Sequence, residues 1–272
     1  MTLFLSFRHA PVLGLLTLLC WPLMCQAQTP ETILSDRPGQ TNSPYSVGHL
    51  VMQGQQGLSY VGATSSTDEP IPWQWSHYGR FGLGKRFELN GQLNIENRYI
   101  WFPDEDDTTS GITGGNLGAR VNILRAEGAR PALGLQLTSH IWDHWSAMLI
   151  GQQQLTDRLS HTATAAVHNG YDGFSPRYNY VYALGYSLTD NFGFFAEHYG
   201  SVEDGEYTPA FDGGVWLIVD ENVQFDLFGG GSVGRPTNTF FVSGGFSWRF
   251  DWAAERRRRQ EHIAHAEALH QR

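Results

Sequence analysis

The sequence predicts an all-β protein, a transmembrane antiparallel up-and-down β-barrel of about twelve strands followed by a short C-terminal helix. Three observations lead there. The chain opens on an apolar leader, alternating stretches of about 10 to 14 residues then recur, and tight turns alternate with longer connections between them.

The leader comes first. Residues 1–27 carry a basic Arg8, an apolar run from Pro11 to Met24, and Cys25-Gln26-Ala27 as a small-residue cleavage site. This is the order of a secretory signal peptide, and the run is short of the ~20 residues that a spanning helix needs. Leu18-Leu19 and Leu23-Met24 offer no small residue before Cys20 or Cys25, so no lipid anchor is expected. Both cysteines lie in the leader, which leaves the exported chain without a disulfide. Removing Arg8 takes the formal charge from -9 to -10. A chain this acidic lacks the basic face that a phosphate backbone requires, which excludes nucleic acid as a partner. A charged fraction of 17% is low for a soluble protein, while a mean hydropathy of -0.32 argues against a helical membrane protein.

Residues 28–47 form an N-terminal segment, expected in the periplasm or in the lumen, and 48–250 form the barrel. The expected strands are 48–61, 73–86, 88–100, 113–125, 130–140, 144–155, 158–169, 178–188, 190–201, 209–219, 222–232 and 239–250. Lys85-Arg86-Phe87-Glu88, Ala126-Glu127-Gly128-Ala129, Thr156-Asp157, Thr189-Asp190 and Asp220-Glu221-Asn222 read as tight turns on one rim. The connections at 62–72, 102–112, 141–143, 170–177, 202–208 and 233–238 tend to be longer, and outer-membrane barrels keep their long loops outside the cell. The acidic 102–112 is therefore expected outside, and both chain ends in the periplasm.

The faces say which side is out. Asn90, Gln92, Asn94, Glu96 and Arg98 share one face of a strand, against Leu89, Leu93, Ile95 and Tyr99; Asn116, Arg120 and Asn122 oppose Leu117, Val121 and Ile123. A polar row suits a wet interior and an apolar row suits lipid. Trp73, Trp75, Tyr99, Trp101, Trp142, Trp145, Tyr178, Phe192 and Trp248 gather near strand ends, at headgroup level. In the last strand Phe246, Trp248 and Phe250 at two-residue spacing resemble the C-terminal signal by which the barrel-assembly machinery recognises its substrates, although this chain continues past Phe250. The tail 251–272 is rich in helix formers. Its Arg256 to Arg259 are expected to meet anionic headgroups or cell-wall polymer, or solvent alone. His262, His265 and His270 with Glu261 and Glu267 do not all share one helix face, and no metal or other cofactor is expected.

The stretch SDRPGQTNSPYSVGHLVMQGQQGLSY resembles the opening of an outer-membrane family associated with the meta-pathway of phenol degradation, whose members are called transporters. The residues that carry it are Asp36-Arg37-Pro38, Ser43-Pro44 and the strand from Gln53 to Tyr60, with Gln55 in place of the acidic residue. The likeness continues through 80–93, 182–200 and 211–233, so it covers most of 35–250. It departs at Asn116 and Arg120, where a Gly-Asp followed by Lys is usual. The resemblance implies transport and, weakly, an aromatic substrate.

The charges expected inside, Arg80, Arg86, Glu96, Arg98, Arg120, Glu197, Asp226 and Arg249, have both signs. They suit either a permeation path or an internal salt-bridge network, which Asp36 and Arg37 join if 30–47 folds inward. Function is expected to be passage or uptake of small molecules, with outer-membrane lipid as surroundings. A non-transporting structural or envelope-interaction barrel is the alternative. A hydrolase is the third class, since Ser76-His77, His198 with Ser201, and His168-Asn169 match no outer-membrane phospholipase pattern; no catalytic residue is assigned.

Overall fold

The computed structural model describes residues 32–63, 73–102, 105–140, 145–169, 175–232, 238–256, 258–260 and 263. The leader and most of the His-rich tail lie outside them. Twelve strands run in order: β1 (Val51–Ala63), β2 (Trp73–Gly82), β3 (Phe87–Phe102), β4 (Glu105–Leu124), β5 (Ala132–His140), β6 (Trp145–Gln154), β7 (Leu159–His168), β8 (Arg177–Ser187), β9 (Phe192–Glu203), β10 (Glu206–Asp220), β11 (Val223–Ser232) and β12 (Thr239–Asp251). Each pairs antiparallel with its chain neighbours, and β1 pairs with β12 from Val51↔Asp251 to Ala63↔Thr239, so the barrel closes without an edge. Residues 252–256 and 258–260 are helical.

The rim that carries the chain ends, called the near rim, has one turn design used three times. Leu83, Leu155 and Leu188 donate backbone N–H to the carbonyls of Phe87, Leu159 and Phe192 at 3.1, 2.8 and 2.9 Å. The Thr156 and Thr189 hydroxyls accept from the N–H of Leu159 and Phe192 at 3.0 Å each, as Thr does in a tight turn.

The far rim corrects two expectations. Phe102 and residues 105–112 belong to strands and not to a loop: β3 and β4 stay paired up to Phe102↔Glu105. Likewise 202–208 is a continued hairpin, closed by Asp204 and Gly205 at φ of 51° and 81°, the left-handed pair a two-residue turn requires. A register shift in β3–β4 beside Asn94 and Ile95 leaves Thr113 without an opposite number. Such a bulge flips the side-chain parity, so Ile112 and Leu117 both face outward at 62% and 74% exposure.

The apolar face is the outside and the polar face is the inside. In β12, Ser243, Ser247 and Arg249 are buried, while Phe240, Val242, Phe246 and Phe250 are exposed. Trp73, Trp75, Trp145 and Tyr178 are exposed near strand ends, whereas Trp248 folds over Gly54 of β1. The side chains of Tyr99 and Trp101, and Trp142 entirely, lie outside the described residues. Leu117→Arg, seven residues from the near-rim end of β4, is expected to cost about 2–4 kcal/mol in a bilayer. Urea unfolding from lipid vesicles checks this, and an unchanged midpoint would contradict the lipid-facing assignment.

Candidate functional site in the barrel lumen

Residues 32–50 lie inside the barrel and sweep round its wall near the near rim. Ile33 donates its N–H to the Glu221 carbonyl of the β10–β11 turn at 2.8 Å, and Leu50 donates to Gly82 at 2.9 Å as the chain enters β1. Between these ends Leu34 and Ser35 meet β1, β2 and β12, Asp36 meets β2 and β4, Arg37 meets β11 and β12, Gln40 and Thr41 meet β9 and β10, Asn42 meets β6, and Pro44 to Val47 meet β5, β4, β3 and β2. It is rich in Pro, Gly and Ser, and buries Ile33 and Val47, but most of its contacts with the wall are polar.

The strongest contacts form a four-charge cluster at β2, β3 and β4. Arg120 holds Asp36 with two N–H groups at 2.8 and 3.2 Å and donates to Gln136 Oε1 at 2.9 and 2.6 Å. Arg80 holds Glu88 at 2.9 and 3.0 Å and approaches Asp36 at 3.5 Å. The remaining donors of Arg80 reach the carbonyls of Leu34 at 2.7 Å and Tyr45 at 2.8 Å. Two guanidiniums thus meet two carboxylates in a site without solvent: Arg80, Arg120 and Glu88 are 0–1% exposed. Burial alone would push the Asp36 carboxyl up, but the Arg120 and Arg80 charges and the N–H of Ser43 at 2.7 Å hold it below its ordinary range.

Arg37 anchors the other side. It grips Asp226 at 2.8 and 3.2 Å, donates to Ser243 Oγ at 3.1 Å, and lies 5.3 Å from the ring centre of Phe228. Its guanidinium fits only because Gly57 and Gly245, opposite each other on β1 and β12, have no side chains; a Cβ at Gly245 would sit 2.6 Å from Arg37 Nε. The tip follows. Gly39 has φ of +93°, and a Cβ there would lie 2.7 Å from both Glu197 oxygens, which accept the N–H of Gln40 at 2.5 Å and of Thr41 at 3.2 Å. Pro38 leads into that turn. Pro44 packs on Gly134 and accepts from Asn122 at 3.3 Å, and Val47 N–H returns to Glu88 at 2.9 Å. Ser35 Oγ sits 2.7 Å from Ser247 Oγ.

Of the charges expected inside, Arg80, Arg120, Glu197 and Asp226 contact the segment. Arg249 instead bonds Asn222 at 3.2 Å on the near rim, and Glu96 accepts from Gln74 at 3.0 Å further up. Arg86 stands in the β2–β3 turn beside Arg125, apart from the cluster, and the side chain of Arg98 lies outside the described residues. Sequence reasoning missed Glu88 and Asp212. The parity of Asn90 and Gln92 extends to Glu88 and was the available signal; the glycines around Asp212 give none.

The hydrolase candidates separate. Ser76 and His77 are adjacent in β2 and face opposite sides, and so do His198 and Ser201 in β9. His198 is within 3.0 Å of the Tyr180 hydroxyl and stacks with outward-facing Phe211. Asn169 accepts from the Trp145 N–H at 2.5 Å, while His168 lies 3.1 Å from Asn179 Nδ2. A serine–histidine contact that no sequence pattern marked, Ser146 with His140 at 3.3 Å, sits inside near the far rim. Among the described residues no three His, Cys, Asp or Glu are grouped to hold a metal.

No protein-family profile matches the chain, and no curated protein matches it. Solved structures do. The KdgM porin aligns over 72% of this chain and 99% of its own at 12% identity and a TM-score of 0.51. The NanC porin aligns over 72% and 98% at 6% identity and a TM-score of 0.53. An outer-membrane channel from Pseudomonas putida F1 aligns over 78% and 100% at 13% identity and a TM-score of 0.52. At such identities the likeness is one of fold: a closed twelve-stranded barrel of the kind that outer-membrane porins use.

Proposed function

We propose that this chain is an outer-membrane channel for passive passage of a small molecule, closed at its periplasmic end by its own residues 32–50. The near rim faces the periplasm and the raised β3–β4 and β9–β10 hairpins face outward. What carries the reading is the way the segment is held. Its grip is a set of discrete ion pairs and N–H contacts to the wall, so it is able to unseat as a unit while the barrel stays closed on itself. Phe195, Phe228 and Phe241 meet edge to face or tilted along the inner wall next to Arg37, with centroids 6.2 and 5.6 Å apart. That patch favours an aromatic or apolar permeant, in line with the resemblance to the phenol-pathway family.

The second reading is a barrel that transports nothing. Its support is the fully buried Arg80–Glu88–Arg120 cluster, which is also what a permanent filling requires. Planar-bilayer recording separates the two. Deleting residues 30–47 is expected to turn brief, rare openings into steady conductance. Wild type and deletion that are equally silent, both with the heat-modifiable gel mobility of a folded barrel, would favour the filled reading.

A further inference from the structure

The C-terminal helix does not hang below the lumen; it starts on the outer wall. Asp251 closes β12 and caps the helix, its Oδ1 accepting the Ala254 N–H at 2.8 Å. The Trp252 N–H is tied to the Leu50 carbonyl at 3.2 Å. Its indole meets the rings of Phe250 and Phe81 edge-on at centroid distances of 4.9 and 6.1 Å. Both rings stand on the outward face, flanking Met52, which pairs with both in register. Trp252 therefore sits where tryptophan anchors a protein at a membrane surface.

Helical spacing then sets the rest. Trp252, Arg256, Arg259 and Ile263 lie at i, i+4, i+7 and i+11, one stripe of a helix, and all four are exposed. Two apolar residues bracket two arginines on the stripe that begins at the lipid-facing wall. Glu255 and Arg258 pair at 3.7 Å on the flanks, an exposed contact that leaves Arg256 and Arg259 to other partners.

We propose that this helix lies along the adjoining membrane leaflet, with Trp252 and Ile263 at the acyl boundary and Arg256 and Arg259 on the phosphates of anionic phospholipid. The geometry is that of an interfacial amphipathic helix, whose long basic side chains reach up to headgroups while their stems cover apolar surface. The partner is the lipid surface itself: the stripe is apolar as well as basic, and it continues the barrel's lipid-facing wall. The proposal rests on the membrane reading of the barrel, not on the channel reading.

The exported chain has no cysteine, so Gln260→Cys accepts a single environment-sensitive fluorophore. The full exported chain is folded into vesicles of phosphatidylcholine alone, or of phosphatidylcholine with phosphatidylglycerol, each doped with brominated lipid as quencher. Strong quenching is expected only with phosphatidylglycerol. Arg256→Gln with Arg259→Gln should abolish the difference, each arginine accounting for roughly a fivefold change in lipid-bound population. Gel mobility reports insertion independently. A chain that fails to insert removes the membrane reading and this proposal together. An inserted barrel whose label is quenched equally in both lipids, or in neither, overturns the proposal alone. So does a label that ignores lipid while the chain co-sediments with isolated cell-wall polymer.

Discussion

Asp36→Ala is expected to open the barrel more than any other single substitution. In the wild type, Arg120 and Arg80 share Asp36 and Glu88 in a site from which water is excluded. Without Asp36 one guanidinium keeps its charge with only Gln136, Tyr78 and a 3.6 Å approach to Glu88 as company. Leaving a buried charge short of its partner costs about 3–5 kcal/mol. Referred to the seating of residues 32–50, that is roughly two to four powers of ten in the ratio of unseated to seated segment. Conductance should rise accordingly, and the segment should become sensitive to added protease, with heat-modifiable mobility retained.

The same carboxyl gives a pH signature. Asp36 is held below its ordinary range when seated, so its contribution to seating is complete above the ordinary carboxylate value of about 4 and is lost as pH falls through the lowered one. Acid should therefore raise wild-type conductance only well below neutrality, whereas Asp36→Ala conducts at neutral pH and loses that step. If Asp36→Ala conducts as the wild type does at every pH, the cluster does not govern the seat.

Much of the barrel was legible because lipid imposes a period of two. Leu89, Leu117, Phe246 and Phe250 alternate with Asn90, Arg120, Ser247 and Arg249, and a wall with lipid on one side and buried polar groups on the other cannot blur that pattern. Towards the far rim the period disappears. Residues 102–112 read as a loop because Asp104, Glu105, Asp106 and Asp107 give no apolar face, yet backbone pairing needs no apolar face, and it continues to Phe102↔Glu105. The lumen was half legible. Parity put Arg80, Arg120, Glu197 and Asp226 inside, and the Asp36-Arg37 pair stood out as charges in a segment with little else. Which cation meets which carboxylate was not legible, since Asp36 lies 84 positions from Arg120 and Arg37 lies 189 from Asp226. The glycines that make room, Gly57 and Gly245, look like any others in a strand until the guanidinium over them is located.

The most direct test locks the segment in place. Ser35 and Ser247 bring their hydroxyl oxygens to 2.7 Å at the lumen wall, and residues 28–272 contain no competing thiol. Ser35→Cys with Ser247→Cys therefore offers a pair of γ atoms near the ~2 Å separation of a disulfide. Oxidised, the bond ties one end of residues 36–50 to β12 while β1 already holds the other, so the segment cannot leave. In the same planar bilayer, conductance and permeation of small aromatic solutes are recorded before and after adding reductant. The channel should be silent when oxidised and show wild-type openings when reduced, with the single-cysteine chains indifferent to reductant. Equal currents in the oxidised and reduced states would contradict the claim that residues 32–50 gate the lumen.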